Sequence, residues 1–203
     1  MQQRSEEWFQ ARIGKATGSR IADVVAKTKT GYGASRANYM GQLIAERLTG
    51  EPAESYTNAA MQWGIDTEPY ARSAYEFYYN TEVDLVGFVD HPRIDMSGAS
   101  PDGRVGSDGM LELKCPNTAT HIETLLTGKV ADKYVIQMLW QMACDEREWC
   151  DFGSFDPRMP EEMRLFVKRV YRDDKRIKEL ESEIEKFLEE LENKIVQLQQ
   201  RAA

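Results

Sequence analysis

The spacing of apolar residues changes near residue 80, and that change narrows the folds open to this chain. Before it, residues step by three and four. Tyr39, Leu43, Ile44 and Leu48 follow this rule within Ser35 to Leu48, and Gly50 stands at the stop. Ser19 to Lys27 and Thr57 to Tyr79 read as helices too, the latter opened by a Thr57-Asn58 cap. Gly50 to Tyr56 is a polar loop. After the change, Val83 to Val89 is β-branched and apolar, as a strand should be. Met96 to Ala99 and Met110 to Cys115 are further strand candidates, separated by the turn-rich PDGRVGSDG. Helical spacing returns over Thr118 to Leu126 and Asp132 to Ala143. Two more strands follow, Trp149 to Phe155 and Leu165 to Tyr171. A small central mixed sheet flanked by helices, with a helical N-terminal region, makes an α/β domain.

The chain closes on a long amphipathic helix from Asp173 to about Gln200. Ile177, Leu180, Ile184, Leu188, Leu191, Ile195 and Leu198 form its seam. The expected organisation is one domain over residues 1–172 and a helix over 173–203, packed on that domain or on a partner.

At 203 residues such a domain buries a sizeable core without disulfide or zinc staples. No apolar run is long enough to span a bilayer. The N-terminus MQQRSEEWFQARIG lacks the apolar stretch of a secretory signal, so the expected compartment is the cytoplasm. Cys115, Cys144 and Cys150 are odd in number and show no C-x-x-C spacing. They read as free thiols rather than a zinc or iron–sulfur site. The net charge of −8 argues against a generally basic nucleic-acid surface. Glutamates crowd Glu179 to Glu192, however, where Lys186 is the single lysine. With that stretch set aside the chain is close to neutral, and a local basic groove remains open.

The chemistry concentrates in SPDGRVGSDGMLELKCP, Ser100 to Pro116. Side chains alternate along a strand, so Leu111, Leu113 and Cys115 share one face, and Glu112 and Lys114 the other. Asp102 sits at the end of the preceding strand, and a hairpin brings it beside Glu112. Two carboxylates offer the hard oxygens that Mg²⁺ or Mn²⁺ prefers. A lysine two residues on can orient or help deprotonate an attacking water and offset charge on a phosphate. The competing reading is an exposed hairpin carrying a Glu–Lys surface pair, worth about 0–1 kcal/mol.

Ser100-Pro101-Asp102-Gly103 followed by Leu111 to Pro116 resembles the P-D…E-x-K core of restriction-endonuclease-like nucleases. More narrowly it is similar to the phage lambda exonuclease family, over about Trp8 to Tyr171. Trp8, Arg12, Gly14, Thr17 and Ser19 match that family's W-x(3)-R-x-G-x(2)-T-x-S pattern, whose arginine and serine face a 5′ phosphate. Trp63-Gly64 with Glu68 resembles W-G-x(3)-E, with backbone approaching closely at the glycine and the glutamate reaching the metal site. Gln137 and Gln141 match Q-x(3)-Q, and Phe155-Asp156-Pro157-Arg158-Met159 resembles a stretch to which no chemistry is assigned. The sequence departs from the family after Cys115-Pro116, where a phosphate-holding arginine is missing; Thr118 and His121 are the candidate replacements.

The resemblance implies a restriction-endonuclease-like fold and a Mg²⁺-dependent, processive 5′-to-3′ exonuclease. Its substrate would be linear double-stranded DNA with 5′-phosphate ends, cut to mononucleotides and left with a 3′ single strand for annealing recombination. The metals, two ions per site, would be held by Asp102, Glu112 and the Leu113 carbonyl, assisted by Glu68. Lys114 would position the nucleophile with Gln137 in support. Arg12, Thr17, Ser19 and Ser100 would hold phosphate. It further implies a phage or prophage origin, a homotrimeric ring, a single-strand annealing protein as partner, and no membrane. Gly50 to Asn58 is the candidate strand-separating loop. The rival readings are a structure-specific endonuclease of the same superfamily, and a non-enzymatic DNA-associated module built on the C-terminal helix.

Overall fold

The computed structural model describes residues 1–53 and 58–202. In chain order the elements are α1 (Glu6–Arg12), β1 (Ala16–Thr17), a 3-10 turn (Gly18–Arg20), α2 (Ile21–Val25), β2 (Lys27–Thr28), β3 (Gly31–Tyr32), α3 (Ala34–Thr49) and α4 (Ala59–Tyr79). Then come β4 (Val89–Asp90), β5 (Ser97–Ala99), β6 (Gly103–Val105), β7 (Gly109–Lys114), α5 (Thr118–Thr127), α6 (Asp132–Asp145), β8 (Trp149–Phe155), a second 3-10 turn (Glu161–Met163), β9 (Leu165–Tyr171) and α7 (Asp174–Ala202).

The helix ends follow from local chemistry. Ser5, Asn58 and Asn117 each accept a backbone N–H in the first turn of α1, α4 and α5. Gly50 and Gly128 end α3 and α5 in the left-handed conformation. Asn58 thus supplies the cap of α4. Thr57, the other half of the expected cap, lies outside the described residues. So do residues 54–57 as a whole, and with them the middle of the candidate strand-separating loop.

The main sheet has the order β6-β7-β8-β9. β7 runs parallel to β8 and antiparallel to β6, and β8 is antiparallel to β9. The sheet is therefore mixed, as the alternation of periods predicts. β5 belongs to a smaller sheet between β1 and β4. The alternation along β7 places Leu111 and Leu113 in a cluster with Ala71 and Tyr75 of α4. Met110, from the opposite face, joins Met138, Leu139 and Met142 of α6 in the larger core. Glu112 and Lys114 share the face of Met110, towards α6.

Helix α7 completes that larger core. Ile177, Leu180, Ile184, Phe187, Leu191 and Ile195 are all buried, against α2, α3 and α6. Phe187 is fully buried and stacks on Tyr39 at 5.9 Å between ring centroids.

Two expectations need correcting. Val83 to Val89 forms no strand beyond Val89. Only Asp84 bridges, exchanging 2.9 Å backbone hydrogen bonds with Arg104. Its apolar side chains are used singly instead. Val83 fills the space above Gly103, where any Cβ would collide with it. Secondly, the turn-rich segment after Pro101 contains β6. The hairpin beside the site is therefore β6–β7, and Asp102 stands just before β6 rather than at the end of β5. Glycine and a short strand concealed it. Helix α1 and the β2–β3 hairpin were equally unmarked by periodicity, being too short to show any.

Truncating Phe187 to Ala should destabilise the protein by about 3–5 kcal/mol, because a cavity opens where α7, α3 and α6 meet. Urea unfolding measures this. A loss below about 1 kcal/mol would mean that α7 is dispensable to the core.

Candidate active site

The carboxylate of Glu112 is fully buried. It faces α6 because residues 110, 112 and 114 of β7 alternate away from α4. Helix α6 answers with Gln137 and Gln141, one turn apart on one face. Gln137 Nε2 donates to Glu112 Oε1 at 2.7 Å, and Gln141 Nε2 donates to Oε2 at 2.6 Å. The Lys114 ammonium donates to Oε1 as well. Three donors thus hold one carboxylate, and the ring of Tyr134 lies 5.3 Å from the Lys114 nitrogen.

Asp102 approaches from the β6 side. Its Oδ2 accepts the N–H of Leu113 at 2.7 Å, extending the ladder past the end of β6 with a side chain. Oδ1 takes no hydrogen bond among the described residues. The Glu112 carbonyl points towards Gly153 of β8, 3.9 Å from where a Cβ there would lie. The next carbonyl, that of Leu113, therefore faces the Asp102 side.

The electrostatics are those of crowded like charges. Burial, and then Glu112, raise the pKa of Asp102 well above the ordinary carboxylate range, against the opposing pull of Lys114 and the Leu113 N–H. Burial alone would lower the pKa of Lys114. The charges of Glu112 and Asp102 outweigh it and leave the amine a firmly held ammonium.

Glu68 of α4 is near enough to bear on Asp102 but is turned to cations. It accepts from Arg4 at 3.0 Å and faces Arg72 at 3.8 Å. Gly64, on the same face of α4, has open space where its Cβ would stand, so no backbone approaches there as the W-G pattern led us to expect. Among the described residues no group of three or more His, Cys, Asp or Glu side chains is arranged to hold a metal ion. The available donor set is Asp102, with an open oxygen, Glu112 and the Leu113 carbonyl. Hard oxygens beside uncompensated negative charge suit Mg²⁺, which keeps several of its waters and needs no closed protein cage.

Beside this constellation lies a cleft of about 420 Å³, lined by Arg4, Trp8, Arg12, Thr17, Ser19 and Arg20 among others. Gly14 fixes its geometry. Its φ of +67° suits glycine, its N–H donates to Glu46 Oε2 at 2.8 Å, and its carbonyl accepts from Arg47 at 2.8 Å. The turn is thereby tied to α3. Arg12 stacks on Trp8 at 4.0 Å and donates to Ser100 Oγ at 3.1 Å. Burial lowers its pKa against the pull of Tyr39 and Glu46. It forms no ion pair among the described residues, so a partly desolvated guanidinium is left facing the cleft.

The other expected residues divide. Ser19 is exposed in the cleft. Ser100 Oγ, which also accepts from Trp8 Nε1 at 2.9 Å, braces Arg12. Thr17 is buried, with its N–H donated to the Tyr39 hydroxyl at 3.0 Å. The replacements for the missing arginine fail. His121 is fully buried between Ser154 and the Met163 carbonyl, and Thr118 donates to Asp156 at 2.7 Å. Both brace α5, which cannot turn them outward without breaking those bonds. Asp156, held by Arg158 and Thr118, belongs to the same brace. Sequence reasoning missed Arg4, Arg20 and the position of Tyr134. Only Tyr134 left a trace, three residues before Gln137 on the same helical face.

Residues 7–148 match the family described as YqaJ-like viral recombinase domain. Among solved structures, an alkaline exonuclease (LHK-Exo) from Laribacter hongkongensis is 52% identical, with 98% of both chains covered and a TM-score of 0.92. That protein in complex with dAMP gives the same values. A phage-related exonuclease from Haemophilus somnus 129PT is 15% identical over 93% of this chain and 96% of its own, with a TM-score of 0.69, a likeness of fold alone. The shared architecture is the restriction-endonuclease-like fold. No curated protein matches the chain.

The raised pKa of Asp102 carries a stability consequence. The folded carboxyl binds its proton more tightly than the unfolded one. The associated stability is present below the ordinary carboxylate range and lost as pH rises through the raised value. Above the ordinary carboxylate range the tighter hold on that proton therefore opposes folding. Asp102→Asn keeps an acceptor for the Leu113 N–H and should raise the melting temperature of the metal-free protein, by about 2–4 °C per kcal/mol relieved. The gain should shrink as the pH is lowered. A variant that melts below the parent at neutral pH in chelator would refute this.

Proposed function

The chain belongs to the YqaJ-like viral recombinase domain family, and from that premise we propose that it is a Mg²⁺-dependent 5′-to-3′ exonuclease on linear double-stranded DNA. The nuclease and recombination role rests on the family and on the 52% identical alkaline exonuclease. The observation that carries the finer reading is the convergence of Asp102, Glu112 and Lys114 at one end of β7, beside a cleft where Arg12 lacks an anion.

In this reading Asp102, Glu112 and the Leu113 carbonyl hold Mg²⁺, with Mn²⁺ as substitute and a second ion assisted by Glu68. A divalent ion there supplies Lewis-acid polarisation of the phosphate to be cut. Lys114, kept protonated by its two carboxylate neighbours, directs its N–H groups at the attacking water or a non-bridging phosphate oxygen. An ammonium of this kind orients and offsets charge; it does not serve as a base. Gln137 and Gln141 hold Glu112 in one rotamer. Arg12, braced by Ser100 and Trp8, receives the 5′ phosphate with Ser19, and Thr17 shapes the wall behind them. A terminal phosphate seated there presents the adjoining phosphodiester to Lys114, which accounts for attack from the 5′ end.

The expected products are 5′ mononucleotides and a 3′ single strand. The complex of the Laribacter protein with dAMP, a deoxynucleoside monophosphate, supports mononucleotide release. A single-strand annealing protein would take up the 3′ strand. A homotrimeric ring around the duplex would account for processive digestion by a chain of net charge −8, since enclosure holds DNA where overall charge does not. No helix among the described residues is long and apolar enough to cross a membrane.

Linear duplexes with a 5′ phosphate and a 5′-strand label should lose nucleotides from that strand only, and only with Mg²⁺ present. Closed circles should survive. Lys114→Ala should slow release by about 10²–10³-fold, the usual cost of removing one positioned charge donor. Cutting of circles would identify a structure-specific endonuclease instead. Equal activity of the lysine variant would remove the assigned site.

A further inference from the structure

In this acidic chain one groove outside the active site is rimmed by lysines. It has a volume of about 690 Å³ and lies where the end of α2 and Ile136 of α6 meet the first turns of α7. Its floor is apolar, with Val25, Ile136 and Leu180, and its rim carries Lys27, Lys175, Arg176 and Lys178. Two of these cations are already engaged. Lys27 pairs with Glu183 at 3.1 Å, and Arg176 pairs with Asp132 at 3.1 Å. Lys175 and Lys178 are exposed and form no ion pair among the described residues. Of the acids lining the groove, Glu183 is bound by Lys27 and by the Tyr32 hydroxyl at 2.6 Å, which leaves Glu179. The local balance is positive.

The groove is joined to the active site through the first turn of α6. The Tyr134 ring has the Lys114 nitrogen 5.3 Å and the Lys133 nitrogen 4.8 Å from its centre. Lys133 is exposed and likewise unpaired among the described residues. The preceding residue, Asp132, is the one that grips Arg176 of α7. Lys114, Lys133, Lys175 and Lys178 thus form a series over β7, α6 and α7, joined through the Tyr134 ring and the Asp132–Arg176 pair. Three separate elements contribute to it, so no single helix repeat explains it.

We propose that this series is a binding track for the phosphate backbone of a DNA strand extending from the active site into the groove beside α7. The proposal rests on the nuclease reading above. A polymer held at one phosphodiester carries further phosphates away from the cut, and cations that meet them release condensed counterions and add affinity. The track supplies such charges where the acidic remainder of α7 repels. An apolar floor with a cationic rim suits a strand whose phosphates lie along the edge. A single strand and one strand of a duplex present the same phosphates, and the experiment separates them.

Combining Lys133→Ala, Lys175→Ala and Lys178→Ala removes three exposed cations that touch none of the catalytic groups. Binding to a linear duplex and to a single strand of equal length is measured without divalent metal over a range of salt. Loss of three phosphate contacts should flatten the slope of log K against log salt by about 2.7 for duplex, or about 2.1 for single strand. The substrate whose slope changes is the one that uses the track. The corresponding triple Lys→Arg variant should keep the parental slope, and cutting by the alanine variant should show raised KM with kcat within about twofold. Unchanged slopes on both substrates, in a parent protein that still cuts DNA, would overturn the track and leave the nuclease standing. A parent that neither cuts nor binds DNA would instead remove the nuclease reading itself.

Discussion

A carboxylate taken out of water costs several kcal/mol unless it is paired and hydrogen-bonded, and Glu112 is both, with three donors on its two oxygens. Lys114 supplies the charge, and Gln137 and Gln141 supply the remaining donors. Much of the architecture serves that arrangement. Helix α6 must lie across β7 with one face turned to the sheet, and the parallel β8 must sit beside β7 to complete the layer. Helix α7 must then press on α6 from behind. Its long apolar seam makes this possible, since Ile177, Ile184 and Phe187 are buried in the same core as Met110 and Met138.

Beside that satisfied carboxylate stands an unsatisfied one. Asp102 shares the field of Glu112 and is protected only by Lys114 and one backbone N–H. The structure tolerates the strain because β6 and β7 are tied together by their ladder, which gives Asp102 no room to retreat. Like charges fixed at close range are a standing demand for a cation, and here that demand coincides with an open oxygen on Asp102.

Positive charge is distributed just as unevenly. Overall the chain is acidic, with a dense run of glutamates on α7, yet Arg12 at the site and Lys133, Lys175 and Lys178 form no ion pair among the described residues. Arg12 is held over Trp8 with no carboxylate opposite, whereas Arg4 is engaged by Glu68. Net charge therefore says little about where an anionic polymer settles. Ion pairing among the protein's own residues decides which cations remain available.

The sequence alone pointed to the α/β class, because strand spacing sets in near residue 80 and helical spacing then returns between the later strands. It determined that Glu112 and Lys114 share a face, because strand geometry permits no alternative, and it marked Gln137 and Gln141 through their spacing of one turn. Strands β8 and β9 and the long helix were legible from end to end, being long enough for periodicity to show. The short elements were not: β6 has three residues, β4 two, and Val83 to Val89 carries apolar residues that serve separate contacts instead of a ladder. Tertiary structure decided what each polar side chain does. Ser100 and Thr17 brace their neighbours, His121 and Thr118 are consumed inside the fold, and Glu68 is paired with Arg4, a residue 64 positions away. A side chain's chemical type is local and can be read from the chain. Whether it is free to act depends on partners distant in sequence, and only folding brings those within reach.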